Sequence, residues 1–155
     1  MKVSLIVVGK STPDFVVTGV KEYIKRLKHY ISFNYLELPP GKGSKDSSST
    51  KKKEAETILK KLQSSDTVIL LDEKGKQFRS VEFSKYINNH MIRNTQHLVF
   101  IIGGAYGFDQ KIYDRSASTI SLGKGTYSHQ LIRIMFLEQL YRSFTIIRGE
   151  KYHNE

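Results

Sequence analysis

The sequence predicts an α/β fold, a mostly parallel sheet flanked by helices, and three observations carry the prediction. Strand-like and helix-like patterns alternate from one end of the chain to the other, as a series of βα units requires. Residues 3–8 are a continuous apolar run rather than an alternating one, so their strand is covered on both faces. Glycine-containing segments follow three later strands, at the ends where open α/β sheets bind ligands. At 155 residues the chain has the size of one domain. Residues 1–155 are read as one, with no internal repeat.

After the first strand, Pro13 and Asp14 open a helix in which Val16, Val20, Tyr23, Ile24 and Leu27 recur at helical spacing. Ile31, Phe33 and Tyr35 alternate with Ser32 and Asn34, a half-buried strand. Residues 39–49 (PPGKGSKDSSS) are the one low-complexity stretch, and their composition predicts a mobile loop. Ala55, Ile58, Leu59 and Leu62 then form one apolar helix face, with lysines opposite. A short buried strand is expected at 67–71. The next helix, with Ser80 as its N-cap, turns Phe83, Tyr86, Ile87 and Met91 inward. Residues 97–102 are the most strand-like of all. A short helix at 110–115 and a strand at 119–122 follow.

The last helix, at 128–144, is apolar round most of its circumference: Leu131, Ile132, Ile134, Met135, Phe136, Leu137, Leu140, Tyr141 and Phe144. A sheet covers one face of such a helix, so a second copy of the chain is the expected cover for another, and a homodimer is predicted.

Lys plus Arg number 25 against 15 Asp plus Glu, a net charge of +10 that favours a polyanionic partner. Cysteine is absent, which excludes disulfides, thiolate metal sites and cysteine nucleophiles and fits a reducing cytoplasm. Polar Gly9, Lys10 and Asp14 follow the first apolar run too soon for a signal peptide. No apolar stretch approaches the roughly 20 residues of a membrane span, so a soluble cytoplasmic protein is expected.

The segments after strands are Asp72-Glu73-Lys74-Gly75-Lys76, Gly103-Gly104-Ala105-Tyr106-Gly107 and Gly123-Lys124-Gly125-Thr126-Tyr127. Their glycines allow close approach of backbone to a ligand. None of them closes a Walker motif or a dinucleotide fingerprint, which disfavours a phosphate-cradling nucleotide enzyme. Arg142, Arg148, Lys151, Tyr152, His153 and Asn154 crowd the C-terminus, where arginines could hold phosphates and tyrosines stack on a base. His129, beside the last glycine segment, is a site candidate. His29, His90 and His97 are assigned structural or surface roles. No His/Asp/Glu cluster has metal spacing, and no serine triad can be argued.

The segments from Leu70 to Lys76 and from Phe100 to Gly107, together with Ser128-His129-Gln130, Tyr141-Arg142 and Arg148-Gly149-Glu150-Lys151-Tyr152-His153, closely resemble the ribosomal large-subunit methyltransferase H family over essentially the whole chain, while Gly123 and Gly125 stand where its members often have larger residues. The family consists of pseudouridine N3-methyltransferases of the SPOUT class. The resemblance implies a trefoil-knotted fold, a homodimer and S-adenosyl-L-methionine as cofactor. It places cofactor contacts at Leu71, Gly103, Leu122, Gly123, Lys124, Gly125, Thr126 and Tyr127. The substrate-side catalytic set would be His129, Arg142, Tyr152 and His153, and the substrate a pseudouridine of large-subunit rRNA in the assembled ribosome. Ser128 stands where the family commonly has proline. The competing expectation is an RNA- or ribosome-binding factor of the same fold without transferase activity.

Overall fold

Along the central strands, alternate side chains enter two different cores, and helices cover both. The computed structural model describes residues 1–41 and 46–154. Its elements are β1 (Lys2–Val8), α1 (Asp14–Leu27), β2 (Ser32–Leu38), α2 (Ser47–Leu59), β3 (Thr67–Gln77), α3 (Ser80–Ile92), β4 (His97–Ile102), α4 (Gln110–Arg115), β5 (Ser118–Ser121) and α5 (Leu131–Ile147). The strands form one sheet in the order β2-β1-β4-β3-β5, every pairing parallel.

Val3, Leu5 and Val7 of β1, with Leu98, Phe100 and Ile102 of β4, meet α1, α3 and α5. Ile6, Val8, Val99 and Ile101 meet α2 and α4 on the opposite face. The continuous apolar runs seen in the sequence are this two-sided burial. Each such side chain contributes about 1.5–3 kcal/mol of burial. The Phe100 and Phe136 rings, 4.7 Å apart, fix α5 to the middle of the sheet.

The apolar circumference of α5 is accounted for differently than expected. The helix lies between α1 and α3, so the sheet takes one face and the two helices take its flanks. Ile134 closes against Gly19 of α1, where a Cβ would stand only 2.9 Å from its Cδ1. What remains outward is a narrower stripe in which Leu131 is exposed and Met135 half-buried.

Several boundaries differ from the expectation. Ser47, Ser48 and Ser49 belong to α2, because the Asp46 carboxylate accepts from the Ser48 and Ser49 amides and caps the helix; residues 42–45 of the expected mobile loop lie outside the described residues. Arg79 rather than Ser80 is the N-cap of α3, and its amide donates to the Glu82 carboxylate. The helix α5 starts at Leu131, three residues late, because Ser128 Oγ accepts the Leu131 amide in a turn before it.

The largest difference is β3, which runs on to Gln77 through the segment expected to be a loop. Ile120 pairs with Leu71 and again with Lys76, so the strand shifts register and returns to β5. The return is a contact of backbone on backbone. A Cβ on Gly75 would lie 2.5–2.7 Å from the main-chain N, Cα and C of Ile120. Only glycine fits there.

At the amino edge of the sheet, His97 joins Ser4 Oγ (2.8 Å) to the Asp66 carboxylate (2.8 Å). The order resembles a hydrolytic triad, yet Ser4 and Asp66 are buried and none of the three lines the cleft described below. The arrangement ties β1 and β4 to the turn before β3, in keeping with the structural role expected for His97.

Replacing Gly75 with Ala sets a methyl group against an immovable backbone. Overpacking of this kind is expected to cost about 3 kcal/mol, read as a lowered urea midpoint with an unchanged m-value.

Candidate active site

The carboxyl ends of β3, β4 and β5 open into a cleft of about 740 Å³, inside the range of small-molecule sites. Its apolar walls come from Leu71, Ile102, Ile120, Leu122 and Ile132, and its backbone surfaces from the glycine segments after β4 and β5. Exposed Glu73 and Lys74, with Asp72 and Lys51, add charge. Asp72 is held in place: Tyr113 donates its hydroxyl to one carboxylate oxygen (2.5 Å) and the Lys74 amide donates to the other (2.9 Å). Burial, then the hydrogen bond to Asp72, pushes the Tyr113 hydroxyl well above its usual range.

After β4 the chain reverses in a tight turn, with Gly107 donating its amide to the Gly104 carbonyl (3.1 Å). After β5, Ser121 Oγ donates to the Gly123 carbonyl (2.8 Å), and the Tyr127 ring lies over Gly123 and Gly125. Of the residues expected to hold a cofactor, Leu71, Gly103, Leu122, Gly123, Gly125, Thr126 and Tyr127 line the cleft, while Lys124 is exposed beside it. His129 lines it too.

The segment carrying His129 is anchored by a residue the sequence reading did not single out. Arg133 has no exposed surface. Its Nε donates to the His129 carbonyl (2.9 Å), Nη2 to Val8 O (2.8 Å), and Nη1 to Gly9 O (3.1 Å) and Ser11 Oγ (3.0 Å). The nearest carboxylate, Glu37, is 4.0 Å away. Gln130 adds two bonds to the same place, donating to Lys10 O (2.8 Å) and accepting from the Thr12 amide (3.2 Å). Burial and then the Arg133 charge hold the His129 imidazole below its usual pKa, so it is neutral at physiological pH.

Arg142, Tyr152 and His153 are brought together, but not at the cleft. Arg142 donates to Glu138 through Nη2 (2.6 Å) and Nε (3.0 Å), and its Nη1 lies 3.3 Å from His153 Nδ1. Its guanidinium sits 4.7 Å over the Tyr152 ring, whose hydroxyl donates to Glu138 (3.2 Å). Burial, with Tyr23 and Glu138 close by, pushes the Tyr152 hydroxyl up to about 12, so it stays protonated and donates. The tail is fastened further by Tyr30 donating to Glu150 (2.6 Å) and by Arg148 over the Tyr30 ring. Leu131 and Arg142 stand roughly 17 Å apart at the helical rise of 1.5 Å per residue. In one chain, then, the cleft and the tail cluster lie toward opposite ends of α5.

A sequence model of the family described as "Predicted SPOUT methyltransferase" matches residues 1–153. The chain belongs to the SPOUT methyltransferase family. Among its relatives are three proteins named Ribosomal RNA large subunit methyltransferase H. Those of Phocaeicola vulgatus and Bacteroides fragilis are 49% and 47% identical, with both chains covered fully in each comparison. That of Cytophaga hutchinsonii is 48% identical over 99% of this chain and 100% of its own. SPOUT membership implies the trefoil knot expected from the resemblance.

Among the described residues no group of three or more His, Asp or Glu is placed to hold a metal. No helix among them is long and apolar enough to cross a membrane.

Replacing Arg133 with Met leaves the Val8 and Gly9 carbonyls buried without their donor. The cost is expected to be about 3 kcal/mol in a urea melt. In the fraction that folds, loss of the cation raises the midpoint of His129, followed by imidazole proton chemical shifts. An unmoved midpoint would show that Arg133 does not act on His129.

Proposed function

We propose that the chain transfers a methyl group from S-adenosyl-L-methionine to N3 of a pseudouridine in large-subunit (23S) rRNA, on assembled ribosomes in the cytoplasm, as a homodimer. One observation carries the reading. Residues from three separate segments, Leu71, Gly103 and the run from Leu122, converge on a single cleft at the carboxyl edge of the sheet. The relatives' names and the SPOUT match over residues 1–153 support the substrate class.

The cleft suits the cofactor's chemistry. An adenine needs apolar walls, which Leu71, Ile102 and Leu122 supply, and free main-chain groups, which the glycine segments supply. A zwitterionic amino-acid end needs both signs of charge, present here as Lys51, Asp72, Glu73 and Lys74. When bound, the group supplies a methyl already activated on a sulfonium.

What the protein must add is alignment and the handling of one proton. N3 of the base is an imide nitrogen, nucleophilic only after its proton leaves. His129, which lines the cleft and whose imidazole burial holds toward the neutral form, would accept that proton. Arg142 would hold a phosphate or the developing negative charge, and Tyr152, a donor held over Arg142, would pack on the base.

His129 and Arg142 cannot meet one nucleotide within a single chain. A second copy solves the distance if its tail cluster faces the first copy's cleft. Exposed Phe15 and Leu131, near the cleft end of α1 and α5, give that second copy an apolar surface to cover.

Mass mapping of 23S rRNA after incubation of ribosomes with cofactor and protein should reveal one added methyl on a pseudouridine. Gly103→Val sets a branched side chain against the Phe108 ring and the Gly107 carbonyl, 3.1 and 3.3 Å from its Cβ. It is expected to abolish cofactor binding in calorimetry while the protein stays folded. Wild-type protein that binds ribosomes but neither cofactor nor methyl acceptor would make it an RNA-binding factor.

Equal mixing of Gly103→Val and Arg142→Ala protomers, each inactive alone, tests the shared site. Random pairing gives about a quarter of the wild-type number of intact sites. Recovery near that level is expected; none, or only monomers in sedimentation, rejects the arrangement.

A further inference from the structure

Behind the turn after β4 lies a carboxylate that the reaction above does not use. Glu54, on α2, keeps 6% of its surface exposed. Its Oε1 accepts from the Gly41 amide at 3.2 Å. Its Oε2 and Oε1 occupy the space that a Cβ on Gly104 would need, at 2.7 and 2.9 Å from it. Gly103, Gly107 and Phe108 share the small hollow around it. Among the described residues, no lysine or arginine is within ion-pair distance of this carboxylate.

The next acid on the same helix, Glu56, is exposed, so α2 had a solvated place for a carboxylate. Burying one is costly unless hydrogen bonds offset the loss of water, and the donor Glu54 has among the described residues is the Gly41 amide. Two segments meet at Glu54: the end of the β2 connection, through Gly41, and the glycine turn, through Gly104. The turn contributes to two walls at once, with Gly103 and Gly104 facing the cleft on one side and Glu54 on the other.

We infer that Glu54 is a positioning residue for the glycine turn at 103–107, wedging Gly104 toward the cleft and tying the turn to Gly41. The inference rests on the cofactor reading of the cleft. It assigns the absence of a side chain at Gly104 to the carboxylate beneath it, not to a ligand above it. Without Glu54 the turn is free to relax, and the cofactor must order it on binding, which weakens affinity. The step that follows binding is untouched.

The experiment is a double-mutant cycle read by S-adenosyl-L-methionine calorimetry, with thermal melts to show that each variant folds. Glu54→Ala is expected to raise the cofactor Kd about tenfold, and Glu54→Gln, which keeps an oxygen for the Gly41 amide, no more than about threefold. Gly104→Ala should raise it about tenfold in the wild-type background but only about twofold when Glu54 is already Ala, because the clashing partner is gone. Amide hydrogen exchange without cofactor should quicken at residues 104–107 in Glu54→Ala. Strictly additive effects, or affinity and exchange unchanged in Glu54→Ala, overturn the inference. If Glu54→Ala fails to fold, Glu54→Gln and Gly104→Ala decide it: Gly104→Ala at wild-type affinity and exchange counts against. Wild-type protein without cofactor affinity would instead reject the function proposed for the cleft, and hydrogen exchange would still decide whether Glu54 holds the turn.

Discussion

The end of β1 and the start of α5 are held together by one guanidinium. Arg133 spends its donors on the carbonyls of Val8, Gly9 and His129 and on Ser11, with water excluded. The end of β1 and the turn before α5 each leave carbonyls that need donors. Here a single side chain serves both, so the segment carrying His129 takes its position from the first strand of the sheet. The cleft's other walls hang from β3 and β4, which pair with one another, while β4 also pairs with β1. Every group placed at the cleft is therefore referred to the same sheet. The positive charge that makes the anchor possible is also what helps keep the neighbouring imidazole neutral.

The same economy explains why the site is polar in its supports and apolar in its walls. Asp72, Glu54 and Arg133 each satisfy backbone or hydroxyl groups next to the cleft. Polar side chains bonded in this way to nearby backbone and hydroxyl groups rigidify their surroundings. A cleft whose turns are held from behind can leave its front to glycines.

Much of this was legible in the residues. The continuous apolar run at 3–8 announces a strand buried on both faces, 97–102 reads as the most strand-like segment, and glycines after strands announce the cleft, because these signals are local. Arg133 and Glu54 were not legible: a charged residue on a helix reads as solvated, and only the fold shows that each points inward at main-chain partners. The available signal for Arg133 was a lone cation within the apolar run that starts α5. The extension of β3 was hidden because Asp72-Glu73-Lys74-Gly75-Lys76 has no apolar alternation, and its pairing partner at Ile120 is far along the chain. Of the expected substrate-side set, Arg142, Tyr152 and His153 meet, and His129 stands apart at the cleft. Their distance from the cleft is a property of where α5 points, and sequence spacing carries no such information.

The strand order β2-β1-β4-β3-β5 also bears on how the chain comes off the ribosome. While only the first 96 residues are available, β1 can pair with β2, but β1 and β3 have nothing between them. The central strand that joins the two halves of the sheet is synthesised late, and β5 and the helix that seals one face come later still. Pairings this distant in sequence form slowly because the intervening chain must first be gathered. Until then the apolar strand at 67–71, although α2 and α3 are already available to its two faces, stands with both edges unpaired. During synthesis the hydrogen-bonding edges of that segment therefore wait for β4 and β5, the last two strands to be made.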